Sequence, residues 1–222
     1  MPGPWNHHSI KTFLVNHAAK ADAPLGDKED SQADGAAKIA AVVGLYAGKE
    51  ELLARVEEAV RLTQNTDEAV EHTLVFARIL EAVIAGDSIA DATAAGVAWG
   101  RARGNDFAKA AADAVEAGAA SADSHDAVVA ANGSSCKMPG SLANAAHAWS
   151  QPIASDADAF AALLRPTIAA PGCNCSRACM AGAVLGAALG RTRLPASWVE
   201  KTLTGAECDA GAAEVAELSA RH

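Results

Sequence analysis

Five cysteines are the residues of this 222-residue chain best suited to chemistry, and three of them, Cys173, Cys175 and Cys179, crowd into one short run. Arg177 lies among them and the apolar stretch 178–190 follows, so they fall at the expected start of a helix. There, backbone N–H groups and the helix dipole stabilise a thiolate, which is a nucleophile or a soft-metal ligand. A structural zinc site takes four ligands at a recognisable spacing. The run supplies three, and only a fold that carried His147 to them would complete the set, so zinc is not expected. Cys136 stands apart on a loop, residues 132–140, rich in glycine and serine and stopped by Pro139, and Cys208 lies near the end. An odd number of unevenly placed cysteines is not a secreted disulfide framework, and a reducing compartment is expected. His7, His8 and His17 follow no metal-ligand spacing and read as surface histidines.

Positioning these residues falls to helices. Half of the chain is apolar, mostly as alanine, with few aromatics, which favours tightly packed helices over a sheet sandwich. The expected fold class is all-α. Residues 1–30, with Pro2, Pro4 and Pro24, read as an arm or lead-in whose apolar patch, Phe13, Leu14 and Val15, docks on the remainder. Helical spacing then runs through 36–46 and 51–61, with Gly48 between them. Thr66 or Asp67 caps the next helix, which ends at Gly86, and Asp87 or Ser88 starts another. Further helices are expected at 105–120, 123–131, 142–149, 156–170, 177–190, 197–203 and 212–220. Gly182, Gly186 and Gly190 fall four apart, a spacing that admits another backbone close to one face. Trp99, Trp149 and Trp198 occupy helical positions and are expected to pack as partly buried anchors.

The net charge of −9 is spread along helix faces, which argues against nucleic acid as a partner. The longest apolar run, 178–190, is shorter than the ~20 residues needed to span a bilayer, so no membrane span is expected. No basic segment followed by an apolar one opens the chain. The expected location is cytoplasmic, or an organelle after removal of a transit peptide, and not secreted.

Several segments, in order, resemble the ADP-ribosylglycohydrolase superfamily, and within it the branch of selenoprotein J and the J crystallins. They are Ser31-Gln-Ala-Asp-Gly-Ala-Ala-Lys-Ile-Ala40, Tyr46-Ala-Gly-Lys49, Thr63-Gln-Asn-Thr-Asp67, Met138-Pro-Gly-Ser-Leu-Ala-Asn-Ala-Ala-His147, and a last one from Gly172-Cys-Asn-Cys-Ser-Arg177 to Leu194-Pro-Ala-Ser-Trp198. The resemblance covers residues 31–205, leaving 1–30 as a lead-in and 206–222 as a C-terminal helix or tail. It implies a compact orthogonal helical domain from which the N-terminal part of the family fold is missing.

In hydrolytic members the last segment begins Gly-Asp-x-Asp-Thr and helps to hold two magnesium ions that position ADP-ribose. The corresponding positions here are Cys173, Cys175 and Ser176. Magnesium takes hard oxygen ligands and thiolates are soft, so magnesium binding is expected to be lost, with no cofactor in its place. The family's N-terminal Thr-Asp-Asp motif is also absent; Asp27, Glu29 and Asp30 are acidic neighbours without it. On the cleft side the resemblance places Asp34, Gln64 and Asn65 as ligand-binding candidates, with Asp34 equally suited to capping a helix. Cys136 falls where selenoprotein J carries selenocysteine and is the candidate redox thiol, its pKa lowered by Lys137. The expected function is a non-catalytic, structural or interaction role with a protein partner or a second copy of the chain. The alternatives are a thiol-redox or ligand-binding protein using Cys136, and a hydrolase with an atypical site.

Overall fold

Small residues let these helices pack almost backbone to backbone, and the closest approaches lie at glycines other than those the spacing suggested. A Cβ on Gly118 would fall 2.1 Å from the carbonyl oxygen of Ala143, and one on Gly96 would fall 2.3 Å from the Ile79 side chain. At Gly182 the nearest neighbour is the Leu164 side chain at 3.8 Å, and nothing lies within 4 Å at Gly186 or Gly190. The 182–186–190 stripe therefore receives no neighbouring backbone. Gly190 instead ends its helix with φ 78°, a conformation that side chains with a Cβ rarely adopt.

The computed structural model describes residues 6–22, 24–155 and 158–220. Among them are thirteen α-helices and one 3-10 turn, with no strand and only two isolated bridges. Helix α1 (His8–Ala18) lies within the lead-in. Its polar side faces the protein: Thr12 donates to Asp27 Oδ2 at 2.6 Å, and Asn16 Nδ2 donates to the Leu25 carbonyl at 2.8 Å. The apolar patch does not dock as expected, because Leu14 and Val15 are 49% and 67% exposed.

The predicted helix over 36–46 is two, α2 (Asp34–Lys38) and α3 (Ala40–Tyr46), and α4 (Leu52–Arg61) follows. Helix α5 (Asp67–Ile84) is central. The Thr66 hydroxyl accepts from the Ala69 N–H at 3.1 Å, Asp67 and Glu68 complement the dipole, and eleven of the helix residues are buried. Ser88, Asn105 and Ser124 cap α6 (Ile89–Ala102), α7 (Asp106–Ala120) and α8 (His125–Asn132) in the same way.

Helix α9 (Gly140–Trp149) is buried at every position from Ser141 to Trp149 and packs against α7, α8, α10 (Ala159–Ala169) and α11 (Asn174–Leu189). Trp149 is an anchor: its Nε1 donates to Thr93 Oγ1 at 3.2 Å and its ring meets Phe76. Trp99 and Trp198 are half-buried beneath arginine side chains. Helices α12 (Ala196–Lys201) and α13 (Gly205–Ala220) bury no residue fully, and α13 lies against α3 with Val215 over Gly44. None of the described helices is long and apolar enough to cross a membrane.

Candidate functional site

The head of α11 meets two distant segments at a polar corner. Gly172 allows the contact: a Cβ there would lie 2.0 Å from the Ser134 carbonyl oxygen, and its φ of 85° suits glycine. That carbonyl accepts the Cys173 N–H at 2.7 Å and Arg177 Nη1 at 3.2 Å. Arg177 is fully buried, and its Nη2 donates to the carbonyls of Thr167, Ala170 and Pro171 at 3.3, 3.0 and 3.0 Å. One guanidinium thus closes the C-terminal end of α10 and pins the 133–139 loop to α11. Burial lowers its pKa from the ordinary value, with Cys173 opposing the shift.

The loop also pairs with residue 32. Gln32 and Lys137 form an antiparallel bridge, and the Ala33 N–H donates to the Cys136 carbonyl at 2.9 Å. The Cys136 thiol hydrogen-bonds Gln32 Oε1, and Cys173 is among its neighbours. Its pKa is pushed up to about 11 by burial, by Cys173 and by Asp34, opposite to the lowering expected from Lys137. Lys137 is exposed and is not among the groups acting on that thiol. Of the remaining cysteines, Cys175, Cys179 and Cys208 are exposed. Cys173 Sγ lies 3.2 Å from Ser176 Oγ.

The acidic residues face inward and hold the chain together. Burial raises the Asp27 pKa, but the Thr12 hydroxyl and the N–H groups of Glu29 and Asp30 outweigh it and hold the carboxyl below its ordinary value. Asp30 Oδ1 accepts from the Gln32 N–H at 2.9 Å and from Gln64 Nε2 at 3.3 Å. Gln64 is fully buried and also donates to the Gln32 carbonyl at 2.9 Å, so it braces this segment from behind. Asn65 is half-buried: its N–H donates to the Asp27 carbonyl at 2.6 Å and its side-chain oxygen accepts from Arg61 at 3.2 Å.

Asp34 makes no cap. It is the first residue of α2, after Ala33, and its Oδ2 lies 3.1 Å from His7 Nε2. Burial, ahead of its charged neighbours, raises its pKa. His7 is correspondingly no plain surface residue, since its ring sits between Asp30 Oδ2, at 3.2 Å, and Asp34, and reaches Gln32 Oε1 at 3.2 Å.

A cavity of about 440 Å³ adjoins this corner, lined by His8, Asp27, Glu29, Asp30, Gln32 and Lys137 among others, and not by Asp34, Gln64 or Asn65. A larger one, about 1070 Å³, is lined instead by Val83, Ile89, Val97, Trp149 and Ile153 and shares no residue with the corner. His147 does not approach the cysteines as a fourth ligand. Its Nδ1 lies 3.0 Å from His125 Nδ1, and its Nε2 donates to the Asp123 carbonyl at 3.1 Å.

Two features escaped sequence reasoning: the Cys136–Cys173 contact and the His7–Gln32 link. Gln32 lay inside the first segment resembling the superfamily, which was the one available pointer to it.

The sequence pattern of the ADP-ribosylglycohydrolase family matches residues 2–222, and the chain belongs to that family. The match reaches beyond residues 31–205, over which the resemblance was read. Crystallin J1A of Tripedalia cystophora is 30% identical over 213 residues, covering 92% of this chain and 60% of the relative. Crystallin J1B of the same organism is 26% identical over 219 residues, covering 99% and 64%. The chain therefore spans less than two thirds of the length of either crystallin. A solved structure described as an ADP-ribosylglycohydrolase-related protein complex shares the fold, with a TM-score of 0.77 and 24% identity over 96% of this chain and 69% of that one.

At the positions that the family resemblance assigns to magnesium ligands, the side chains are one thiol hydrogen-bonded to Ser176, one exposed thiol and one hydroxyl. This donor set does not fit a hard cation that demands octahedral oxygen coordination.

Proposed function

We propose that this protein is a non-catalytic member of the ADP-ribosylglycohydrolase family with a structural or interaction role. The observation that carries the reading is Cys173, whose sulfur lies 3.2 Å from Ser176 Oγ where a magnesium-bound carboxylate would be needed. The nearby carboxylates of Asp27 and Asp30 accept hydrogen bonds from their own loop and so serve its conformation. The kinship with two proteins named crystallins supports a role in which the folded body itself is the product. Leu14 and Val15, exposed side by side on α1, supply apolar surface for a protein partner or a second copy of the chain.

The experiment is direct. Titration calorimetry with magnesium chloride is expected to give no binding heat, and purified protein with or without magnesium is expected to release no ADP-ribose from ADP-ribosylated protein. Magnesium-dependent release would overturn the reading. Sedimentation of the native protein is expected to show an assembly larger than one chain, and a monomer at high concentration would remove the interaction half of it.

A further inference from the structure

We propose that Cys136 and Cys173 are a reversible dithiol–disulfide pair, formed by exchange with low-molecular-weight disulfides. Thirty-six residues lie between them, yet the fold has already brought their segments into register. The Cys173 N–H and Arg177 both bond the Ser134 carbonyl, two residues before Cys136. Gly172, directly before Cys173, touches the same carbonyl in a contact that any Cβ would prevent. Both thiols are half-buried, and Cys173 is near enough to act on the Cys136 thiol. The backbone bond from Cys173 to Ser134 has already closed the loop that a disulfide would close.

The arrangement also sets the order of events. The Cys136 S–H donates to Gln32 Oε1, and burial, together with Cys173, pushes its pKa up to about 11. Cys173, at the N-terminus of a sixteen-residue helix and within the field of buried Arg177, is the attacking sulfur. As a thiolate it attacks one sulfur of RSSR, forming a mixed disulfide and expelling RS⁻, which takes up a proton. Cys136 still carries the proton that it donates to Gln32. Cys136 loses that proton to solvent and attacks the Cys173 sulfur, expelling a second RS⁻. The sum is two protein thiols and RSSR giving one protein disulfide and two RSH. The hydrogen bond from Cys136 to Gln32 is lost, so the redox state reaches the residue that contacts His7. None of this depends on the loss of magnesium chemistry.

The test uses the reduced full chain and oxidised glutathione. Free thiols are expected to fall from five to three while the protein stays unlinked between chains, and dithiothreitol restores all five. Tryptic digestion without reductant is expected to join the peptide ending at Lys137 to the one carrying Cys173 and Cys175. The joined pair should persist in Cys175→Ser and vanish in Cys173→Ser and in Cys136→Ser. Should either of those last variants fail to fold, fragmentation of the joined peptides from Cys175→Ser still places the bond. A linkage that survives Cys173→Ser, a Cys173–Cys175 disulfide in the wild type, or five thiols unchanged after oxidation would each overturn the proposal.

Discussion

The heart of the molecule and its polar corner are held by opposite means. Around Trp149, α5, α7 and α9 meet through alanine, glycine and one indole–phenyl contact, with a single side-chain hydrogen bond to Thr93. At the corner, α1, residues 25–33, the 133–139 loop and the head of α11 meet through Asp27, Asp30, Gln64, Arg177 and two thiols, nearly all of them bonded to backbone or to one another. Apolar packing is non-directional and repairs itself partly after a change. A buried polar network is directional, and losing one member strands its partners. The corner is therefore the part of the fold where one substitution changes local order without dissolving the core.

The largest effect is expected in the heart. Trp149→Ala removes a side chain that is 1% exposed and should destabilise the whole chain by about 4 kcal/mol, lowering the denaturant midpoint for all helices together. Arg177→Met is expected to cost about 3 kcal/mol, because the methionine fills much of the volume but removes the arginine donor from four carbonyls, of which that of Ser134 keeps the Cys173 N–H. The two variants should differ in where they loosen. Hydrogen exchange in Arg177→Met should rise at residues 133–137 and 170–174 and stay slow in α5. Uniform acceleration would erase the distinction between the regions.

The same contrast explains which parts were legible in the sequence. Thr66 and Ser88 announce their helices because a cap acts on the N–H two or three residues away, and the caps of α5 and α6 stand where the sequence put them. The all-α class followed from alanine, and the family from ordered motifs. The corner is different. Cys136 meets Gln32 across 104 residues, and Arg177 closes the end of a different helix, so no local spacing encodes either contact. Lys137, adjacent to Cys136 in sequence, is exposed and takes no part in setting its pKa. Reading Asp34 as a cap failed for a related reason. His7 arrives from another helix and engages its carboxylate.

Acid should reveal a third kind of site, the buried imidazoles. His147 donates from Nε2 to the Asp123 carbonyl, and its Nδ1 faces His125 Nδ1 at 3.0 Å, so one of those two facing nitrogens carries the shared proton and the other accepts. Burial, then His147 and Arg177, lower the His125 pKa to about 4, against 6.5 for the free group, with Asp126 opposing. His72, also buried, is shifted in the same direction by desolvation. Protonation is thus easier in the unfolded chain. Stability is complete above pH 6.5 and falls as the pH drops from there towards 4, by roughly 2 kcal/mol for His125 after allowance for solvent screening. His125→Asn keeps a donor towards His147 without a titrating ring. Chemical denaturation from pH 7 to 4 should show a shallower decline in that variant, and an unchanged decline would assign the acid limb to His72.

The smallest effect is expected at the surface, although hydrogen bonds are dense there. Arg101 makes paired contacts with Asp113 and Glu116 at 2.6 to 3.0 Å, more than any buried group except Arg177. All three side chains are exposed, so water and salt compete for each contact, and holding them costs rotamer entropy. Arg101→Gln should leave the denaturant midpoint nearly unmoved in low salt and indistinguishable from wild type at high salt. Arg177→Met should lose the same stability in both, because its partners are uncharged carbonyls and the guanidinium is fully buried, so salt screens little of what is lost. A salt-sensitive Arg177 variant would mean that solvent enters the corner, which would also open the path by which a small disulfide reaches Cys173.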